Sequence, residues 1–171
     1  GKDLPGAVDT YSKLVTLQPN NGMAHMRLAS VNVLMKDEAA AAANLQRAIA
    51  KQPDLAPARA AAVEVALRRD RQAEALKLAK DTQDAFPKNP LGYVLEGDAY
   101  LFKRQGAQAA AAYEKALAIA PATPIVIKLS QALTVAGKPA DGTRRLAAWY
   151  KTHPNDLGAA HYLSNSYLGA K

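Results

Sequence analysis

The stretch LGYVLEGDAYLFKRQGAQAAAAYEKALAIAP, residues 91–121, decides the fold of this chain. Proline cannot continue a helix, so Pro121 marks the end of one helix and a turn into the next. Gly106 is expected in a hairpin turn, where a positive φ costs a glycine little. Alanine, the helix former with the highest propensity, is frequent between these two residues. The stretch therefore predicts two helices joined by a short turn.

The same pattern recurs along the sequence. Prolines stand at three equal intervals of thirty-four residues, followed by an interval that is one residue shorter: Pro19, Pro53, Pro87, Pro121 and Pro154. Twelve residues before each proline lies a small residue: Ala7, Ala41, Ala75, Ala109 and Gly142. Eight residues before four of them lies a large one: Tyr11, Leu45, Tyr113 and Leu146. A small side chain lets two helices approach and a large one fills the space beside it, so the phase predicts stacked helical hairpins.

The repeat phase places ten helices on the chain. Their predicted ranges are 4–17, 22–35, 38–51, 56–69, 72–85, 90–103, 106–119, 124–136, 139–152 and 156–169. Asn89 and Thr123, each just before a proline that starts a helix, are predicted N-caps. Gly137 is expected in a turn, like Gly106. The single shorter interval fits one residue lost from the turn AGKPADG, residues 136–142, because loops tolerate deletions.

The fourth repeat carries a known signature at Tyr93, Gly97, Tyr100, Ala109, Tyr113, Ala116 and Pro121. The chain resembles the tetratricopeptide repeat family over essentially its whole length. The resemblance implies an all-α protein, an α-α superhelix of about ten antiparallel helices in a single array over residues 1–171. Its expected divisions are a half repeat 1–19, full repeats 22–53, 56–87, 90–121 and 124–154, and a half repeat 155–171. The third repeat departs most, with Ala79 and Thr82 where a large and a small residue are expected.

The two ends of the array each hold a single helix without its hairpin partner. The last helix, AAHYLSNSYLGAK, has apolar residues on more than one face, whereas a solenoid normally closes with a polar capping helix. We therefore expect this chain to be a fragment of a longer protein. The alternative is a homo-oligomer that pairs through the exposed terminal helices.

Function is expected on the concave groove that the first helices of the hairpins line in this family, where a protein or peptide partner binds. By helical phase, the candidate partner-binding residues are Met26, Arg27, Ser30, Glu64, Leu95, Asp98, Phe102, Lys128, His161 and Asn165. The phase also points to Leu129 and Ala132 in the fifth repeat, although such apolar residues can instead pack between helices. Chaperone-binding members of the family clamp a carboxylate with lysines, asparagines and an arginine. The corresponding positions here are Met26, Ser30, Ala60, Glu64, Val94 and Asp98, so that mode is not expected.

Composition argues against other classes of function. The net charge of +7 is spread along the chain without a basic face interleaved with aromatic residues, so no nucleic-acid partner is predicted. No apolar run approaches the ~20 residues that span a bilayer, so direct membrane insertion of this segment is not predicted either. With no cysteine there is neither a disulfide nor a thiolate site.

Catalytic chemistry is not indicated by any motif. The sequence has no HExxH, no GxSxG and no Gly-rich phosphate loop, and its carboxylates are dispersed. The histidines, His25, His153 and His161, lack metal-ligand spacing and are expected at the surface or in the groove. We predict no catalytic residue, no metal site and no cofactor.

The function that follows is a non-catalytic scaffold for protein–protein interaction. Residues 90–100 and 130–156 further resemble the repeat lipoproteins of exosortase (PEP-CTERM) systems. That resemblance implies a bacterial envelope system for exopolysaccharide production and protein sorting, with the anchor outside this segment and a periplasmic location; a cytoplasmic location is the alternative. Two other readings stay open: a non-catalytic domain of a larger polysaccharide-synthesis or export complex, and a self-assembling structural segment.

Overall fold

A computed structural model describes residues 3–168, which form ten α-helices and no strand. The helices are α1 (Leu4–Leu17), α2 (Gly22–Leu34), α3 (Glu38–Lys51), α4 (Ala56–Arg68), α5 (Gln72–Ala85), α6 (Leu91–Phe102), α7 (Gly106–Ile119), α8 (Thr123–Val135), α9 (Pro139–Thr152) and α10 (Leu157–Leu168). Each helix bound that falls within the described residues agrees with its predicted value to within one residue. Residues 1–2 and 169–171, which the predicted half repeats include, lie outside the described residues. The predicted all-α class is confirmed.

The chain divides into two compact units, one up to Leu78 and one from Ala79 onward, and the division falls within α5. In the first unit, α2 packs against α1 and α3, and α3 packs against α4. In the second unit, each helix from α6 to α10 packs against the next along the chain, while α8 also contacts α6 and α10. We call α2, α4, α6, α8 and α10 the A helices, and α3, α5, α7 and α9 the B helices.

The phased small and large residues form the contacts inside the hairpins. Ala41, Ala109, Tyr113 and Leu146 have no exposed surface, and Leu45 is 1% exposed. In the second unit, a Cβ built on Gly97 would lie 2.7 Å from Tyr113 Cδ1, so glycine lets the tyrosine ring pack closely against α6. Burying one such large side chain stabilises a fold by about 1.5–3 kcal/mol, so these positions contribute strongly to each hairpin.

The turns from A to B helices share one backbone feature. The residue two positions after α2, α4, α6 and α8 has a positive φ: 62° at Lys36, 60° at Asp70, 56° at Arg104 and 77° at Gly137. Only the last of them is the glycine that this conformation favours. The prediction of a positive φ at Gly106 is wrong. A Cβ built there would lie 2.6 Å from the Ala132 carbonyl oxygen, so this glycine permits a close approach to the end of α8.

The shared turn geometry leads to a prediction with a matched control. Arg104→Gly should raise the free energy of unfolding by up to about 1 kcal/mol, because glycine removes the left-handed strain of a side chain. Gly137→Ala should lower it by about 1 kcal/mol for the converse reason, since a Cβ at Gly137 meets no atom within 4 Å. Urea denaturation followed by circular dichroism measures both. A change of the same sign in the two variants would contradict the prediction.

The shorter interval between Pro121 and Pro154 arises in a different loop from the one that was predicted. In three other loops that lead into an A helix, the capping residue stands two positions after the proline: Asn21, Leu55 and Asp156. The N-cap of α8 is Ala122, which follows Pro121 directly. The missing residue therefore belongs to this loop and not to AGKPADG. Thr123, predicted as an N-cap, is instead the first residue of α8, whereas Asn89 accepts a hydrogen bond from the Leu91 amide at 2.9 Å as a capping side chain does.

Candidate functional site

The A helices of the first unit, α2 and α4, form a small cleft of about 180 Å³. Ser30, Glu64 and Arg68 lie at this cleft, and Val33 and Val65 are among its apolar lining residues. Arg68 Nη2 donates to Glu64 Oε1 at 2.5 Å, so the two charges largely neutralise each other. Of the other residues predicted for this region, Arg27 is exposed and Met26 is partly buried against the core of the unit.

The A helices of the second unit, α6, α8 and α10, form the face that we call the helix-A face of unit 2. Near its middle, the Asp98 carboxylate of α6 receives two donors at the same oxygen. Lys128 Nζ of α8 lies 2.5 Å from Asp98 Oδ1, and the Tyr113 hydroxyl of α7 donates to Oδ1 at 2.6 Å. The Lys128 ammonium also lies 6.0 Å from the centre of the Tyr113 ring, within the range of a cation–π contact. Three helices are thus joined at one carboxylate.

The Tyr113 hydroxyl is fixed as a hydrogen-bond donor. Burial raises the pKa of Tyr113 well above its usual range, and the neighbouring Asp98 charge and the hydrogen bond act in the same direction. The phenol therefore stays protonated at any physiological pH. Among the described residues both contacts reach Asp98 at Oδ1, so Oδ2 of this partly exposed carboxylate can still accept a hydrogen bond.

Uncharged side chains continue the face towards α10. Gln131 Nε2 of α8 donates to the Tyr162 hydroxyl at 3.4 Å, and Asn165 Nδ2 lies 3.1 Å from His161 Nε2. Tyr162 keeps 38% of its surface exposed. Large apolar residues are also exposed at the C-terminal ends of α6 and α8, Phe102 with 54% and Val135 with 42%.

The structure separates the residues predicted for the groove into exposed and buried ones. In the second unit Phe102, His161 and Asn165 are exposed, and Asp98 and Lys128 are in contact with each other. Leu95 is only 3% exposed, and Leu129 and Ala132 are buried as well, so these three side chains pack in the core. Helical phase did not predict Gln131, because the missing residue of the repeat was assigned to the turn AGKPADG instead of the loop before α8. Counting thirty-three residues from Asp98, instead of the regular thirty-four, leads to Gln131.

The loop before α10 is organised by the Asp156 carboxylate. Asp156 Oδ1 accepts from the Ala159 amide at 3.0 Å, and Oδ2 accepts from Trp149 Nε1 at 3.1 Å and from the Thr123 hydroxyl. The Trp149 ring stacks on His153 with centroids 4.0 Å apart. These contacts tie the start of α10 to α8 and α9. They therefore position Tyr162 and Asn165 on the helix-A face.

A pH dependence follows from this carboxylate. The hydrogen bond from Thr123, followed by those from the Ala159 amide and Trp149, lowers the pKa of Asp156 from 3.8 to about 2. Because the pKa is depressed in the folded state, the stabilisation is complete above pH 4 and is lost as the pH falls towards 2. Asp156→Asn should therefore lower the melting temperature at pH 7 and reduce the difference in melting temperature between pH 7 and pH 3. Thermal melts of both proteins at the two pH values measure this, with Asp54→Asn as the control because Asp54 is an exposed carboxylate. An equal loss of melting temperature on acidification in the wild type and in Asp156→Asn would contradict it.

One histidine does not lie where it was predicted. His25 is 5% exposed, and its Nε2 lies 3.2 Å from the Pro19 carbonyl oxygen. One repeat later, Arg59 Nε donates to the Pro53 carbonyl oxygen at 2.7 Å, so both side chains hold the preceding loop. The surface position predicted for His25 is therefore wrong.

In the part of the chain that the structure describes, no group of three or more His, Asp or Glu residues could hold a metal ion, and no helix has the length and apolar character needed to cross a membrane.

Successive helical hairpins with a phased core and an accessible A-helix surface define the class of helical-repeat proteins. Comparisons identify the type of repeat: residues 92–123 match the family model of the tetratricopeptide repeat. The fourth repeat is thus a tetratricopeptide repeat. No match was found among curated protein sequences.

Solved structures share the fold over almost the whole chain. TTC0263, a thermophilic tetratricopeptide repeat protein of Thermus thermophilus, is 19% identical, with a TM-score of 0.71 over 96% of this chain and 91% of that one. Yeast Tom70 is 16% identical, with a TM-score of 0.76 over 95% of this chain and 36% of that one. YrrB, a tetratricopeptide repeat protein with an unusual peptide-binding site, is 12% identical, with a TM-score of 0.59 over 93% of this chain and 82% of that one. At these identities the likeness shows the fold alone, and that fold is the tetratricopeptide repeat fold.

Proposed function

We propose that this chain is a non-catalytic scaffold that binds a peptide segment of a partner protein on the helix-A face of unit 2. The observation that carries the proposal is the set of large side chains left exposed on three adjacent A helices: Phe102, Val135 and Tyr162. Adjacent exposed apolar side chains with polar neighbours are typical of interaction surfaces. The fold supports the same conclusion, since repeat proteins commonly bind partners along the surface of their stacked helices.

The face is also held in a fixed geometry before any partner binds. Asp98 is held by Tyr113 and Lys128, and Gln131 Nε2 lies 3.4 Å from the Tyr162 hydroxyl. Binding to side chains that are already ordered loses less conformational entropy than binding to mobile ones. The face therefore suits recognition of a specific segment.

Selection from a random 12-residue peptide library displayed on phage tests the proposal. Peptides that the protein enriches should bind at least about tenfold more weakly to Phe102→Ala and Tyr162→Ala variants, since aromatic anchors carry much of the energy of an interface. Gln108→Ala serves as the control, because Gln108 is an exposed residue on α7. Failure to enrich any peptide would overturn the proposal. So would enriched peptides whose affinity is unchanged in the face variants or falls equally in the control.

We further propose that this protein belongs to a bacterial envelope system of the PEP-CTERM type, and that it acts at the periplasmic side. The support is the resemblance of residues 90–100 and 130–156 to the repeat lipoproteins of those systems. The same resemblance leaves open a non-catalytic domain of a larger polysaccharide-synthesis or export complex. A gene neighbourhood that contains exosortase and polysaccharide genes, and fractionation of the native protein with the cell envelope, are the expected results. A neighbourhood without those genes, or a cytoplasmic native protein, would overturn this placement.

A further inference from the structure

We infer that unit 2 has a second binding site, a groove between the B helices α7 and α9 that takes an acidic amphipathic helix of a partner protein. We call it the B-helix groove. No side chain named above for the helix-A face of unit 2 lines it, so this inference goes beyond the proposed function and does not depend on it. Three properties of the groove carry the inference: its shape, its apolar lining and its charge.

The two helices that form the groove run side by side in the same direction. Gly106 at the start of α7 and Gly142 in the first turn of α9 both pack against the C-terminal half of α8. A Cβ built on them would lie 2.6 Å from the Ala132 carbonyl oxygen and 2.8 Å from the Ser130 carbonyl oxygen, respectively. Both helices have fourteen residues, which gives the groove a length of about 20 Å. A ligand helix of about four turns fits that length.

The groove opens into a cleft at each end. The cleft beside the N-terminal halves of α7 and α9 has a volume of about 630 Å³, and the cleft beside their C-terminal halves has about 290 Å³. Arg145 and Ala148 line both clefts, so the two adjoin. Small side chains on the walls let a third helix approach closely. The apolar residues that line the first cleft are mostly small: Ala107, Ala110, Ala111, Leu133, Ala136 and Ala148.

The lining offers few hydrogen bonds to a peptide backbone. The walls are helical, so their own N–H and C=O groups are paired. In the second cleft Trp149 Nε1 donates to Asp156 Oδ2 at 3.1 Å, and the Thr152 hydroxyl donates to the Trp149 carbonyl oxygen at 2.9 Å. An extended ligand would therefore bury backbone groups without partners, whereas a helix satisfies its own. The lining favours a helical ligand with large apolar side chains facing the two clefts.

Cations outnumber carboxylates along the first cleft. Lys138, Arg144 and Arg145 line it together with Glu114 and Asp141. Arg145 bonds to Glu114 at 2.6 Å and Arg144 bonds to Asp141, so both carboxylates have counter-ions, whereas Lys138 forms no ion pair with any residue that the structure describes. A guanidinium has five N–H donors, so each arginine can donate to a further acceptor. The first cleft therefore suits carboxylates on the ligand helix.

The ion pair that crosses the groove between α7 and α9 does not close it. The Arg145 and Glu114 side chains are 58% and 51% exposed, and ion pairs this exposed contribute little to stability. A carboxylate of the ligand can thus replace Glu114 as the partner of Arg145 at small cost. The positive ends of both helix dipoles lie at the same end of the groove and favour that carboxylate further.

A selection from a phage library of 16-residue amphipathic helices tests the inference. The bait is the Phe102→Ala/Tyr162→Ala double variant, so that ligands of the helix-A face are not enriched. Enriched peptides should carry more Asp and Glu than Lys and Arg, with large apolar residues three or four positions apart. Synthetic copies labelled with a fluorophore should lose at least about tenfold in affinity when a proline is placed at their centre, because proline breaks a helix.

Matched variants of the bait locate the binding site. Ala111→Trp fills the first cleft from α7 and should weaken binding at least about tenfold, whereas Gln108→Trp, at an exposed position of α7 outside the lining, should change it less than about twofold. Lys138→Glu should weaken binding about fivefold, whereas Lys151→Glu makes the same change of charge outside the lining and should have less than half that effect. Circular dichroism checks the fold of each variant. Ala148→Trp, which fills the groove from α9, takes the place of Ala111→Trp if that variant does not fold.

Several outcomes would overturn the inference. They are a selection without enrichment, an excess of Lys and Arg in the enriched peptides, and full tolerance of the central proline. Equal losses of affinity in Ala111→Trp and Gln108→Trp, or in Lys138→Glu and Lys151→Glu, would overturn it as well. None of these outcomes bears on the proposed function, because the bait lacks the aromatic side chains of the helix-A face.

Discussion

Replacing Tyr113 with alanine is expected to lower the free energy of unfolding by about 3–5 kcal/mol, the range for removal of a large aromatic side chain from a core. The reason is that Tyr113 has no exposed surface and packs against Gly97, which has no side chain that could fill the space. The cavity would remain open because the backbone of α6 borders it directly. Asp98 would also lose one of its two donors, leaving only Lys128.

The measurement is urea denaturation followed by the fluorescence of Trp149, which is the single tryptophan and lies in the second unit. Tyr113→Phe is the matched control, since it keeps the ring and removes only the hydroxyl. It should cost about 1 kcal/mol, because the hydrogen bond to the partly exposed Asp98 is screened by water. A cost for Tyr113→Ala no greater than that for Tyr113→Phe would contradict the packing described here.

The repeat architecture could be predicted from the sequence because helix-breaking residues and contact residues are local signals. Proline is excluded from the interior of a helix, so the regular interval of the five phased prolines indicates where helices end without any tertiary information. The positive φ at Arg104 could not be predicted from composition, since an arginine gives no sign of the left-handed conformation. Only its position, one repeat interval before Gly137, indicates it.

The third repeat shows how a single position can mislead. Ala79 stands where a large residue was expected and Thr82 where a small one was, yet both are buried, with exposed fractions of 0% and 1%. A pattern drawn from residue size at single positions therefore marks this repeat as irregular, although α5 keeps a buried face there.

The candidate face was harder to predict than the helices. Asp98 and Lys128 were both named from helical phase, but their ion pair spans two repeats and has no local signal. Tyr113 was recognised as a core residue, and the rule that a buried phenol needs a partner would have indicated an acceptor on the facing helix. Leu95 was placed on the surface because a phase error of one position moves a residue across the boundary between face and core.

The contact between Gly97 and Tyr113 provides the second prediction of a large effect. Gly97→Ala should lower the free energy of unfolding by about 1–3 kcal/mol, although alanine is the better helix former, because the added Cβ would lie 2.7 Å from Tyr113 Cδ1. The ring is fully buried in the core of the unit, so moving it would disturb the residues packed around it. Overpacking therefore outweighs the gain of up to about 1 kcal/mol in helix propensity.

A double variant tests whether this contact is the cause. In the second repeat the same two positions hold Ala29 and Leu45, both buried, so an alanine is compatible with a leucine at the facing position. Gly97→Ala should therefore cost less in a Tyr113→Leu background than in the wild type, with a coupling of about 0.5–3 kcal/mol measured by urea denaturation. Gly158→Ala serves for comparison, since a Cβ there would meet Asp156 Oδ1 at 3.3 Å, a tight contact that is still longer than the one at Gly97. Additive costs in the double variant would mean that the penalty at Gly97 arises from the helix backbone and not from the tyrosine ring.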